Sequence, residues 1–345
     1  MPVHLAVTAW PRLAGPPTAT IAPTDGTPTR IAPMIAARPQ TVTHVLDGVL
    51  EEDPGRLALV APSGSLTYEQ LDARANAGAA ALRQMGVGPG DRVASSLPND
   101  IDIVVAFHGA MRLGAIWVGL NRNLAPPEKE TLLDAARPVV FLAGPDTAAE
   151  HEQEWPVVRV DPADAGTEWA AAVTASAGAA RPPAPDPRAP AGIAFTSGTT
   201  GVPKGIVHSQ RNLLLPAAAL VVSRHYDETL RKGDCLPLTI LNLQVLTTLL
   251  TATAGGCCVL TDRRDAPGVA EWLGRDRVTV WNGVPALLYS MVHDPAITPD
   301  RLASLREVWT GGGPCPEDVI AEFRSRFGVA VYQSYGLTEA PTVVT

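Results

Sequence analysis

The feature that most constrains the fold of this chain is a repeated alternation of short apolar runs with helix-length segments punctuated by proline, glycine and capping residues. Units of this kind bury both faces of a sheet and point to βαβ connections and a largely parallel arrangement. Residues 57–60 and 65–68 read as short strands around a turn at Pro62, Ser63 and Gly64. Thr67 and Gln70 stand at capping-box spacing, so a helix is expected to open there, run to about Gln84 and stop at Gly86. A strand over 92–97, a helix over 100–113 and a strand over 115–120 follow. Pro126 and Pro127 suit the start of the next helix, Glu128 and Glu130 suit its positive end, and 139–143 reads as a strand.

Residues 175–192 are rich in alanine, proline and glycine and read as a surface loop or linker. Past it the pattern resumes, with strands at 193–195, 278–281, 307–309 and 329–332. Helices are expected from about Asn212, over 285–292 and over 316–327. The expected division is a disordered proline-rich tail over 1–40, an α/β subdomain over 41–174, the loop, and a second α/β subdomain over 193–345. No internal repeat suggests a solenoid.

A formal charge of −8 argues against a binder of nucleic-acid backbones, which takes its affinity from a basic surface. The four cysteines, Cys235, Cys257, Cys258 and Cys315, form no CxxC pair and have no histidine at zinc spacing, so unpaired thiols in a reducing cytoplasm are expected. The amino terminus has no basic region, and Pro11, Pro16 and Pro17 break any apolar segment of a secretory signal. Residues 235–261 carry no charge and are long enough to span a bilayer. Pro237, Asn242, Gln244 and the Gly255, Gly256 pair favour instead a buried strand, helix, turn and strand.

The sharpest chemical signal is the segment 196–205, TSGTTGVPKG, which follows a strand. Glycines let backbone N–H groups converge on an anion, hydroxyls add donors, and a lysine supplies a point charge for phosphate oxygens. It is not a Walker A loop, because Pro203 precedes Lys204 and Gly205 follows it in place of a magnesium-binding hydroxyl. A second signal, YQSYGLTE over 332–339, combines an aromatic ring, a hydroxyl and a carboxylate able to hold a hard cation. Between them, TGGGP over 310–314 offers a backbone free of side chains on which a flat base can lie. His208 has no second ligand at helical spacing and reads as a loop or core histidine. Ser197 lies outside any GxSxG elbow, which argues against a serine hydrolase.

Together these segments resemble the signatures of the AMP-forming acyl-CoA synthetase and adenylation-domain superfamily, a likeness covering most of residues 40–345. The resemblance implies an α/β fold of two stacked, mainly parallel subdomains, the amino-terminal domain of adenylate-forming enzymes. It implies ATP-dependent activation of a carboxylic acid, a fatty or aryl acid, to acyl-AMP, followed by transfer to coenzyme A or to a phosphopantetheine carrier protein. By that resemblance Thr196, Ser197, Gly198, Thr199, Thr200, Gly201 and Lys204 hold the β- and γ-phosphates. Gly311, Gly312, Gly313, Gln333, Ser334, Tyr335 and Gly336 border the adenosine. Thr338 reaches the α-phosphate, and Glu339 holds Mg²⁺. The turn at Trp281 to Ala286 is similar to one beside the acyl pocket.

Two departures are visible. After Pro237 and Leu238, Thr239 and Ile240 stand where the superfamily commonly places an aromatic-histidine pair, which implies altered handling of acid or thiol. Only residues 340–345 follow Glu339, so the later ribose-binding aspartate, the hinge and the mobile carboxy-terminal domain with its lysine have no counterpart. The expectation is limited turnover by this chain alone, as one piece of a split ligase or as a binding remnant, with a carboxy-terminal domain or partner chain supplied separately.

Overall fold

The structure is a computed structural model that describes residues 39–196 and 203–340. The expected tail lies almost wholly outside the described residues. Thirteen strands are found among those described: β1 (Leu57–Ala61), β2 (Gly64–Thr67), β3 (Arg92–Ser96), β4 (Ile116–Gly119), β5 (Val140–Ala143), β6 (Val157–Arg159), β7 (Pro190–Thr196), β8 (Lys204–Ser209), β9 (Arg231–Asp234), β10 (Cys257–Leu260), β11 (Val280–Gly283), β12 (Glu307–Thr310) and β13 (Ala330–Gln333). They form a seven-stranded sheet of order β13-β12-β11-β9-β10-β1-β2 and a six-stranded sheet of order β6-β5-β3-β4-β7-β8. Pairing is parallel except in β1/β2 and β7/β8.

The local signals act as their chemistry requires. The Thr67 hydroxyl accepts from the Gln70 N–H, and the Gln70 side chain accepts from the Thr67 N–H, so the helix Tyr68–Gln84 opens with both orphan donors satisfied. Asp100 caps the helix Ile101–Leu113, which ends on Gly114 in the left-handed region. The uncharged stretch 235–261 is broken into a helical turn Leu241–Gln244, a π turn Val245–Leu249, a helical turn Leu250–Ala254 and the strand β10. Among the described residues no helix is long and apolar enough to cross a membrane.

The sheets do not follow the chain division drawn at 175–192. The hairpin β1/β2, early in the sequence, pairs with β10 at the edge of the seven-stranded sheet. The hairpin β7/β8 extends the six-stranded sheet through β4. The segment before β7 is tethered, because Arg181 reaches Asp47 at 2.5 Å and Asp72 at 2.7 Å.

A continuous apolar cluster joins the sheets, drawing Leu59, Cys258 and Val280 from one and Val93, Trp117 and Leu142 from the other. A second cluster, around Trp272, Trp281 and Phe323, packs beside the seven-stranded sheet. Polar groups also lock the sheets together. Buried Asn99, after β3, donates to the Leu236 carbonyl at 2.8 Å and accepts from the Leu238 N–H at 2.9 Å. At Gly119 a Cβ would lie 1.7 Å from the Thr239 carbonyl oxygen, so only glycine lets β4 approach that segment.

Candidate active site

Strands β9, β11, β12 and β13 are mutually parallel, so Asp234, Gly283, Thr310 and Gln333 end at one edge of the sheet. The chain passes from β9 to β10 on one side and returns to β11 on the other. The crevice outside the carboxyl ends of strands at such a reversal is where α/β sheets bind ligands. A cavity of about 320 Å³ lies there. Its body is apolar, with Leu220, Leu243, Leu246 and Leu250 among its walls, and Gly311, Gly312, Ser334 and Gly336 border it.

The expected glycine turn is built for close backbone approach. The Ser334 N–H donates to the Thr310 carbonyl at 2.8 Å. A Cβ on Gly311 would meet the Ser334 hydroxyl at 2.7 Å, and Gly312 has φ 79. Gln333 accepts from the Cys315 N–H at 3.3 Å, which joins the two turns.

A second cavity, of about 460 Å³, is lined by Thr196, Pro203 and Thr338 and is walled by 239–242. The two cavities share Ile240 and Asn242. The segment carrying Thr239 and Ile240, in place of the aromatic-histidine pair, is therefore the partition between them. Thr196 pairs with Lys204 across the β7/β8 hairpin. Ser197, Gly198, Thr199, Thr200 and Gly201 lie outside the described residues.

Buried His208, on β8, donates from Nε2 to the Thr338 carbonyl at 2.8 Å, fixing the 335–339 turn to the other sheet. Lys204, Gly313, Tyr335 and Glu339 are exposed and line neither cavity. An exposed carboxylate beside Thr338 suits Mg²⁺, which takes hard oxygen ligands and keeps much of its water. The exposed ring of Tyr335 beside the open glycine turn suits a flat base.

Sequence reasoning missed the polar floor of the first cavity. The segment Arg231–Asp234 is charged and is assigned no element from sequence, yet it forms central strand β9. Its period of two places Lys232 and Asp234 on one face, and both are buried. Asp234 accepts from Thr247 at 2.7 Å, Asn282 at 2.8 Å and the Leu236 N–H at 2.8 Å. Burial raises its carboxyl pKa, and the Lys232 charge and these bonds act against that rise.

Lys232 lines the same cavity and makes no hydrogen bond among the described residues. Burial pushes its ammonium down to about 8, opposed by Asp234 and Glu307. Nearby, the Tyr226 hydroxyl donates to Glu307 at 2.7 Å and accepts from the Trp309 indole at 3.3 Å. Arg224 lies 3.7 Å from Glu307 and stacks 4.4 Å above the Trp309 ring. The only forward signal for this group was the spacing of Lys232 and Asp234 just before an apolar run.

Comparison with known proteins agrees with this geometry. The chain is 32% identical over 301 residues to long-chain-fatty-acid–CoA ligase FadD13 of Mycobacterium tuberculosis, covering 83% of this chain and 58% of that protein. It is 31% identical to 4-coumarate–CoA ligase 3 of Oryza sativa subsp. japonica, covering 81% and 52%. The chain thus spans a little over half the length of these relatives. Among solved structures it is similar to the N-terminal domain of FACL13 from Mycobacterium tuberculosis, with a TM-score of 0.77, 28% identity and coverage of 87% and 76%. ATP-bound MatB from Rhodopseudomonas palustris gives a TM-score of 0.78 at 25% identity, covering 88% and 60%. Residues 46–345 match the family described as AMP-binding enzyme. The chain belongs to that family.

Proposed function

We propose that this chain is the nucleotide- and acid-binding part of an ATP-dependent, AMP-forming carboxylic acid ligase. The observation that carries the reading is the pair of adjoining cavities, one apolar and one bordered by Thr196 and Thr338, meeting at Ile240 and Asn242. An acid seated in the first presents its carboxylate beside a triphosphate held at the second, and such alignment supplies much of the catalysis in phosphoryl and nucleotidyl transfer. Lys204 and the segment from Thr196 to Gly201 hold the departing phosphates, Thr338 reaches the α-phosphate, and Tyr335 with the glycine turn holds adenine. Glu339 would hold Mg²⁺, which when bound would supply positive charge against the phosphates.

The relatives named above are CoA ligases, which supports coenzyme A as the thiol that receives the acyl group. Completion of that second step, and full speed in the first, falls to a carboxy-terminal domain or a partner chain. The test is calorimetric titration with ATP and Mg²⁺ alongside acid-dependent exchange of pyrophosphate into ATP, with Lys204→Ala as control. ATP binding that weakens about tenfold in the control, with slow exchange requiring an acid, supports the reading. A folded chain that binds neither ATP nor any acid overturns it.

A further inference from the structure

The first cavity carries a feature that an apolar acid does not use. Lys232 is 1% exposed, lines the cavity and has three N–H donors with no acceptor among the described residues. A buried donor left unpaired costs free energy that a bound acceptor recovers. Its position in depth is fixed by the strand. Asp234 ends β9 at the carboxyl edge, so Lys232, two residues earlier, sits about 7 Å below that edge. The glycine turn and Ser334 lie at the edge itself, and the junction with the second cavity, where the acid is proposed to present its carboxylate, is formed by Ile240 and Asn242, which follow Asp234 in the chain. Lys232 therefore faces the far part of the acid rather than its reacting end.

Charge decides which acceptor fits. Lys232 and Arg224 supply two positive groups here, and Asp234 and Glu307 supply two negative ones. Asp234 is fully engaged with Thr247, Asn282 and the Leu236 N–H, and Glu307 with Tyr226 and Arg224. The floor is balanced, so a second carboxylate on the acid would bring an uncompensated charge into an apolar cavity. A neutral oxygen takes the free donors and leaves the balance intact.

We propose that Lys232 is a specificity-determining residue that donates a hydrogen bond to a neutral oxygen, a carbonyl or hydroxyl, on the apolar body of the acid. The chain then selects oxygenated acids over plain hydrocarbon acids of the same length. This rests on the reading that the first cavity holds the acid.

The test is affinity for a matched trio: octanoic acid, its oxo derivative with the ketone next to the terminal methyl, and octanedioic acid. Binding is followed by calorimetric titration in the intact chain and in Lys232→Met. The oxo acid is expected to bind about tenfold more tightly than octanoic acid, with octanedioic acid weakest, and Lys232→Met is expected to erase the preference. Equal binding of the oxo and plain acids, a preference for the diacid, or a preference that survives Lys232→Met overturns the assignment. The ranking on the intact chain stands even if the variant does not fold. ATP titration of the same sample separates the two claims: lost selectivity with intact ATP binding rejects the role of Lys232 alone, whereas loss of both acid and ATP binding rejects the adenylation reading with it.

Discussion

Lys232 holds a charge where burial opposes it, and this sets a pH signature. Its ammonium is pushed from 10.5 down to about 8, with burial the leading cause and Asp234, Glu307, Cys258 and Cys235 acting against it. Between those two values the unfolded chain holds a proton that the folded chain has released, so this group's contribution to stability rises with pH. Below about 8 the cost of burying the cation is fully present, at roughly 3 kcal/mol or less. Cys235 and Cys257 act in the opposite direction, because burial raises their thiols to about 12 and about 11. The clean quantity is therefore the difference in urea stability between Lys232→Met and the unchanged chain. That variant is expected to be favoured most at pH 7, with its advantage shrinking steadily towards pH 10.5. A difference that does not change with pH would mean that Lys232 titrates alike in the folded and unfolded chain and keeps its ordinary pKa.

At the scale of elements, much of the fold was legible because local chemistry and tertiary position agree. The capping box at Thr67 and Gln70, the paired prolines at 126 and 127 and the stop at Gly86 each mark an end that the structure keeps. β9 was not legible, since its aspartate is held by partners distant in sequence, Thr247 and Asn282, which no local pattern announces, and its buried lysine makes no hydrogen bond among the described residues. The same limit hid the exchange of hairpins between sheets, because pairing of β1 with β10 and of β7 with β4 is set by packing rather than by propensity. Of the candidate site, the described parts of the three motifs supply residues to the two cavities, while the partition at 239–242 and the polar floor emerged only in three dimensions.

His208 belongs to this scale too, as its imidazole joins the β7/β8 hairpin to the turn holding Thr338. His208→Ala is expected to cost about 1–2 kcal/mol of stability and to weaken ATP binding several-fold, with His208→Gln restoring part of the affinity. Thermal unfolding and calorimetry separate the two effects. Unchanged ATP affinity in a destabilised variant would confine His208 to packing.

Across the whole molecule, the two sheets are held as one body by a shared core and by the contact between Asn99 and the strand-to-helix segment at 236–238. The cavities depend on that union, because their partition at Ile240 and Asn242 leaves the seven-stranded sheet and passes against Gly119 of the six-stranded one. If the sheets opened independently, acid and nucleotide would lose their alignment before either sheet melted. Cooperative opening instead predicts that amide protons of β3 and β4 and those of β11 and β12 lose protection at the same urea concentration, with one slope. Asn99→Ala leaves the Leu238 N–H and the Leu236 carbonyl without their partner inside the protein, a loss on the order of 3 kcal/mol. Because the contact spans the sheets, that loss is expected to lower the protection of both together in hydrogen exchange followed by mass spectrometry. Loss confined to β11 and β12 would make the sheets separate folding units, and the alignment of the two cavities would then have to come from the bound ligands rather than from the fold.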